Sequence, residues 1–343
     1  MTSTTLKKRI FITGGTGYIG GSILHLMVSR DYTDRFEIAA LVRRADDVSR
    51  LQNMGIIPVY GSLDDSDLLT EEAQKADIIF NTANCDHQAS AAAIVEGLTR
   101  RFHEMGKRSV LIHTSGAGVL TDTSSGAGVS PSQDFEVRLW DDADWNTHAD
   151  IPPYAPHRLV DLEIFKAAHQ GVAKTYLMVP PTVFGRGVGP LAERRMSIQI
   201  PRLVYQTLLS RRATYVGTGE NVWPNVHVAD LAELYLLILE SALTDSATES
   251  NTTLFYPVAE HFTWSVVSQR IGRVLHESGF LPAAEASTGL QQGWFWGSNV
   301  QVKSTNAMKL GWGPCHGGTE AMLESIGYDL ELVLEAIRSH SPA

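Results

Sequence analysis

The chain has 343 residues, 43% hydrophobic and 19% charged. That length suits one large domain with a lobe or two domains, and the composition excludes disorder over most of it. Lys and Arg total 28 against 38 Asp and Glu, a formal charge of −10, and a field of that sign argues against nucleic acid as the main partner.

Short β-branched runs alternate with helical patterns through the first half. Strands are predicted over 9–13, 37–42, 58–60, 77–81, 110–114 and 174–179. Helices are predicted over 18–28, where Ile19, Ile23 and Leu26/Met27 recur at helical spacing, and over 89–105 and 158–169. Strands alternating with helices imply right-handed crossovers and a parallel sheet covered on both faces, a doubly wound α/β fold. Residues 119–153 are polar and rich in Gly and Ser over 121–130, and read as a loop or lid. Beyond Val183 the chain passes Gly185, Gly187, Gly189 and Pro190 into a helix over 196–211. A strand over 221–228, a helix over 230–240 and a strand over 253–258 restore the alternation, and 264–275 and 320–337 are helical. The expected organisation is a nucleotide-binding domain over 1–186 plus 221–260, with a smaller, mostly helical substrate lobe over 187–220 plus 261–343.

Cys85 and Cys315 cannot build a disulfide framework and offer no zinc spacing. The histidines are dispersed without H-E-x-x-H, and Cys85 with His87 lacks further ligands nearby in sequence, so no metal is assigned. There is no G-x-S-x-G elbow of a serine hydrolase. No run approaches the roughly 18 apolar residues of a membrane span; the greasiest, 231–243, is interrupted by Glu233 and Glu240. Lys7, Lys8 and Arg9 precede an apolar run too short for a signal peptide, so a cytoplasmic location is expected.

The first strand runs into Gly14-Gly15-Thr16-Gly17-Tyr18-Ile19-Gly20. Gly14 suits a tight turn, Gly17 lets backbone approach a pyrophosphate at a helix N-terminus, and Gly20 lets the helix pack close on the strand. This TGGTGYIG segment resembles the glycine motif of the extended short-chain dehydrogenase/reductase family, which includes nucleotide-sugar epimerases, dehydratases and dihydroflavonol-type reductases. Further matches follow in order along nearly the whole chain. They are Asn81-Thr82-Ala83-Asn84, His113-Thr114-Ser115, Pro180 through Gly185, Val226-His227-Val228-Ala229-Asp230 and Leu310-Gly311-Trp312. The resemblance implies a Rossmann-type sheet and a nicotinamide cofactor. Thr16, Tyr18 and Ile19 would lie at that cofactor with the three glycines, Ser62 and Leu63 at the adenine end, Ala83 and Asn84 in the crevice, and Pro181 and Val183 beside the nicotinamide.

An acid at the end of the second strand would bond the ribose hydroxyls of NAD, whereas arginine accommodates the 2′-phosphate of NADP. The strand ends in Arg43 and Arg44 with no carboxylate before Asp46. NADP(H) is therefore expected in preference to NAD(H).

The family's chemistry uses a Ser or Thr hydroxyl, a Tyr that moves the proton and a Lys four residues later that lowers the Tyr pKa. Ser115 matches the first. Tyr154 through Arg158 matches Y-x-x-x-K with arginine at the lysine place, a non-conservative exchange because a planar fork replaces a compact ammonium. Pro156 suits a first helical turn and would leave Tyr154 just outside it. Three readings stay open: Tyr154 as acid/base backed by Arg158, a shifted site with His157 or His113 as proton donor, or Tyr154 as a loop aromatic with Arg158 on ribose or phosphate. Trp140, Trp145, Trp223, Trp294 and Trp296 are candidates for a substrate pocket or for plain core.

The leading expectation is an NADPH-dependent reductase of a carbonyl on a small organic molecule. One rival is a sugar-nucleotide epimerase or dehydratase with tightly held NAD and a diphosphate site at Arg194, Arg195, Arg211 and Arg212; another is an NADP-binding sensor with a degraded site. The resemblance also implies a homodimer formed through the helices 89–105 and 158–169.

Overall fold

The computed structural model describes residues 7–122, 138–193, 195–244, 252–290 and 293–340. Its main sheet contains β1 (Lys8–Thr13), β2 (Phe36–Val42), β3 (Ile57–Tyr60), β4 (Ile78–Asn81), β5 (Ser109–Thr114), β6 (Ala173–Met178) and β7 (Thr252–Phe255). These strands lie in the order β7-β6-β5-β4-β1-β2-β3, and every pairing is parallel. Successive side chains point to opposite faces, and both faces are apolar. Ile10, Ile12, Ile38, Ile78, Phe80 and Ile112 fill one side, while Phe11, Leu41, Ile79 and Leu111 fill the other.

Helices α1 (Tyr18–Ser29), α2 (Ala45–Asn53), α3 (Gln88–Met105), α4 (Arg158–His169) and α5 (Val228–Thr244) flank the sheet. Ile23, Leu24 and Met27 of α1, with Leu231, Leu234, Tyr235 and Ile238 of α5, cover the first face. Ile94 and Leu98 of α3, with Val160 and Ile164 of α4, cover the second. The winding direction reverses between β1 and β4, and the crevice beyond the strand ends at such a reversal is where a doubly wound sheet receives its ligand.

Two segments differ from expectation. The strand Val222–His227 does not join the main sheet; it pairs in parallel with Thr182–Phe184 and antiparallel with Glu260–Thr263 in a separate three-stranded sheet. The stretch read as a loop or lid is partly regular among its described residues, with a strand at Leu139–Asp141 and a helix at Trp145–Ala149; 123–137 lie outside the described residues. Leu139–Asp141 pairs with Gln301–Lys303, and the buried Asp142 accepts the Asn306 amide at 2.7 Å. A three-residue strand whose partner lies so far along the chain leaves no local periodicity to read.

Around this second sheet a lobe core forms from Trp140, Trp223, Trp264, Trp296, Ile200, Ile271, Met322 and Leu330. Trp140, Trp223 and Trp296 are thus packing residues, and the Trp294 side chain lies outside the description. The helix α6 (Thr319–His340) closes the lobe. On α4, Ile164 and Phe165 are buried within the chain, whereas Leu159 is exposed.

Candidate active site

At the end of β1 the chain turns at Gly14 with φ +74°, and a Cβ there would meet the Thr82 carbonyl oxygen at 2.6 Å. A Cβ at Gly20 would stand 2.3 Å from the Gly14 carbonyl oxygen. Side chains at either position would therefore push α1 off the sheet. The first turn of α1 holds no acid, and no side chain caps it, so its leading amides stay open to an anion. Thr16 and Ile19 are partly buried beside it, and the Tyr18 hydroxyl donates to the Gly185 carbonyl at 2.6 Å. This cradle fits a dinucleotide pyrophosphate.

Beyond β2, Arg43 and Arg44 are exposed. Arg44 Nε donates to the buried Asp47 at 2.9 Å, and Arg50 and Arg195 reach the same carboxylate at 3.5 and 3.9 Å. Arg195 arrives from the segment between β6 and β7 and donates through Nε to the Thr16 carbonyl at 3.1 Å. Burial lowers its pKa, and the charges of Arg44, Arg50 and Arg43 lower it further. Three guanidiniums thus share one carboxylate beside the glycine turn, and Arg43 lies near enough for its charge to act on Arg195. Arg195 is the member of this cluster that sequence reasoning did not place beside Arg43 and Arg44. Arg194 lies outside the described residues, and Arg211 is exposed at the end of the helix Gln199–Ser210.

After β3, the Ser62 hydroxyl accepts the Asp64 amide at 3.1 Å, and Leu63 packs partly buried against the sheet. After β4, Ala83 is partly buried and Asn84 is exposed, with its side-chain oxygen accepting the Asp86 amide at 3.0 Å. Pro181 and Val183 are buried. Backbone bonds from Ser115 to Met178 (2.8 Å) and from Ala117 to Pro180 (2.9 Å) hold the β5 end against that segment.

Ser115 itself is buried, and its Oγ bonds Asp161 Oδ2 at 3.0 Å. The other oxygen of Asp161 faces His113 Nε2 at 3.7 Å; His113 Nδ1 lies 3.0 Å from the Asn81 amide nitrogen, and Asn81 accepts from Thr13 at 2.7 Å. A buried polar chain therefore runs from β1 to Ser115. Burial pushes the Asp161 carboxyl up to about 7 despite the Ser115 bond. Burial, reinforced by the His157 charge, drops His113 to about 3, so it is neutral.

α4 begins at Arg158, which makes His157 its N-cap, with a left-handed φ of 65°. The His157 ring lies against Gly116 and Gly118, and its Nδ1 contacts Asp86 at 2.7 Å and Cys85 Sγ at 3.3 Å. Burial alone would lower its pKa, but the bonds to Asp86 and Cys85 prevail and lift it to about 10. Asp86 is correspondingly held low by His157. Tyr154, by contrast, is 75% exposed. Arg158 is buried, but its guanidinium donates to the carbonyls of Ile151 and Ala149, both at 3.1 Å, so it braces the preceding turn. Ser115 is therefore brought together with His157, Asp161, His113 and Asp86, and no hydrogen bond or ion pair of the described residues joins Arg158 to Tyr154.

Cys85, Asp86 and His157 form one compact trio, and Asp230, Cys315 and His316 form another. In each, a 2.7 Å carboxylate–imidazole hydrogen bond closes the space between the two groups. Tetrahedral ligands at about 2.0–2.3 Å from zinc would stand farther apart than that.

The sequence model of the NAD dependent epimerase/dehydratase family matches residues 10–250. The chain belongs to that family. Among curated relatives it is 29% identical to the Acremonium sp. oxidase ucsJ over 90% of this chain and 93% of that protein. It is 25% identical to a 4-hydroxy-2-methyl-3-oxo-4-farnesyl-3,4-dihydroquinoline-1-oxide ketoreductase of Stigmatella aurantiaca, over 68% of this chain and 64% of that one. It is also 24% identical to vestitone reductase of Medicago sativa, over 69% and 74%. Among solved structures, UDP-glucose 4-epimerase of Thermotoga maritima superposes with a TM-score of 0.63 at 15% identity, covering 96% of this chain and 99% of that one. That likeness extends the family's fold to the C-terminal lobe. Among the described residues, no helix of this epimerase/dehydratase-family chain is long and apolar enough to cross a membrane.

Proposed function

We propose that the protein is an NADPH-dependent reductase of a carbonyl group on a small organic molecule. The observation that carries this reading is the cluster of Arg43, Arg44, Arg50 and Arg195 beside the glycine turn, with the single buried Asp47 already engaged by Arg44. A dianionic 2′-phosphate is the natural partner of such a cluster, since planar guanidiniums bind phosphate oxygens in pairs. Reductases among the relatives, the ketoreductase and vestitone reductase, support the carbonyl substrate. The turn at Gly14, Gly17 and Gly20 would hold the pyrophosphate, with the Pro181–Val183 segment beside the nicotinamide. When bound, the reduced nicotinamide supplies a hydride for the carbonyl carbon. Ser115 would orient the substrate oxygen. While its hydroxyl donates to an ionised Asp161 it can only accept, so donation to a carbonyl calls for the protonated form of Asp161.

Calorimetric titration of NADPH and NADH tests the cofactor. NADPH is expected to bind at least tenfold more tightly, and Arg43→Ala and Arg195→Ala should each remove most of that preference. An Arg43→Ala variant that binds NADPH as tightly as the parent would count against the assignment. NAD retained through exhaustive dialysis would favour the epimerase reading, in which one substrate is oxidised and re-reduced on a captive cofactor. NADPH binding without turnover over a broad carbonyl panel would favour a sensor. A homodimer through α3 and α4, with Leu159 on the contact, belongs to the same proposal; a monomer mass in light scattering would remove it.

A further inference from the structure

We propose, resting on the reading of this chain as a carbonyl reductase, that His157 delivers the proton to the substrate oxygen, oriented by Asp86 and acting beside Ser115. His157 and Asp161 then repeat, three residues further on, the spacing of four that the resembled family uses for its tyrosine and lysine.

The register carries this first. Residues four apart lie on one helix face, the Asp161 amide donates to the His157 carbonyl at 3.2 Å, and Asp161 holds Ser115. His157 is therefore one turn above the carboxylate that positions the candidate hydroxyl. The loop after Ser115 is shaped to the ring. A Cβ at Gly118 would stand 2.9 Å from His157 Nε2 and one at Gly116 would stand 3.1 Å away, so two glycines leave space that larger residues would take. The left-handed backbone at His157 is uncommon for a residue with a side chain, and such conformations gather at functional sites. With Nδ1 engaged by Asp86, Nε2 is the nitrogen left for a ligand, and it has no hydrogen-bond partner among the described residues.

Tyr154 lacks these supports. Its ring is largely in solvent and the guanidinium four residues on is committed to two carbonyls.

The step balances without a further reactant. A bound reduced nicotinamide would supply the hydride for the new C–H bond, and the π pair of the C=O would move onto oxygen. The Nε2–H bond then breaks as O–H forms, leaving neutral imidazole that takes its next proton from water. The titratable groups facing His157 are Cys85 and Asp86 after β4, His113 on β5 and Asp161 on α4. Asp86 and Cys85 keep the imidazolium protonated through the neutral range, with an acidity like that of the phenol it replaces. Its charge also favours the negative charge that develops on oxygen.

The test uses the NADPH-loaded full chain and the variants His157→Gln, His157→Asn, Asp86→Asn and Tyr154→Phe. Turnover over a carbonyl panel is read together with NADPH affinity and the imidazole titration of His157 by NMR. Loss of a general acid costs about 10²–10⁴-fold, so both His157 variants should lose at least about a hundredfold in kcat with unchanged NADPH affinity. Asp86→Asn should move the alkaline limb of kcat to lower pH and the imidazole titration with it, which a purely structural role would not do. Three results overturn the proposal while leaving the reductase reading standing: His157 variants that keep their turnover, a hundredfold loss confined to Tyr154→Phe, or a His157 ring already neutral at pH 7. A parent that binds NADPH but reduces nothing ends both readings.

Discussion

At the end of β4, Cys85 and Asp86 meet His157; at the start of α5, Asp230 meets Cys315 and His316. The residue types are the same and the burial is inverted. Side-chain exposure is 17% for His157 against 60% for Asp86, but 46% for His316 against 2% for Asp230. In the first trio the carboxylate serves the imidazole. In the second the carboxylate is the buried member and accepts the backbone amides of Cys315 and His316, both at 3.1 Å, which fastens that loop onto α5. Burial would raise the Asp230 pKa, yet the bonds from His316 and from the two amides keep it low. What a group of side chains can do depends on which member is buried and on whether the backbone has already claimed its polar atoms.

The largest expected separation between the two trios is in stability. Asp230→Ala abandons a set of charge-assisted bonds and should cost roughly 2–4 kcal/mol, measured by urea denaturation, with turnover per folded molecule unchanged. Asp86→Ala, at an exposed carboxylate, should stay within about 1 kcal/mol while turnover collapses. Equal losses would erase the contrast.

The pH dependence should follow it. His157 holds its proton in the folded chain up to about 10 against an ordinary 6.5. Its contribution is complete below 6.5 and lost as pH rises toward 10, a decline on the order of 1 kcal/mol with Asp86 largely in solvent, and His157→Gln should flatten it. Asp230 is depressed when folded, so its contribution is present above the ordinary carboxylate range and lost as pH falls through the lowered value. Asp230→Ala should flatten that acid limb, which Asp86 shares. Urea midpoints across the pH range decide both points.

A smaller effect is expected from Gly118→Ala. The added methyl displaces the His157 ring, and a displacement below an ångström should lower kcat about tenfold with little change in stability. Full activity would mean that the ring position is unimportant.

The sheet and glycine turn were legible because their signals are local. The apolar run Ile10–Phe11–Ile12 and the glycine spacing after it report on neighbouring residues alone. The reading of Arg43 and Arg44 as a cofactor-phosphate site rests on the same kind of local order. Arg195 was not legible in this way, because its partner Thr16 lies far away in sequence and only the fold joins them. Around Ser115 the tyrosine template favoured Tyr154 and Arg158. Pro156 did indicate a helix starting later, and advancing the same spacing by three residues gives His157 and Asp161. Even so, nothing local marks Asp161 as buried, since a carboxylate in a helix ordinarily reads as a solvated face. Asp86 and Cys85 become partners of His157 only through the packing of β4 beside β5.

The pairing of Leu139–Asp141 with Gln301–Lys303 bears on how such enzymes are recombined. Asp142 ties this strand to Asn306, and Arg158 ties the turn behind it to the first residue of α4. A chimera that exchanges the C-terminal segment for that of a relative would bring a foreign strand against Leu139–Asp141 and disturb the start of α4. The interchangeable unit therefore includes residues 138–158, and a graft designed on the sheet boundary alone would misplace the start of α4.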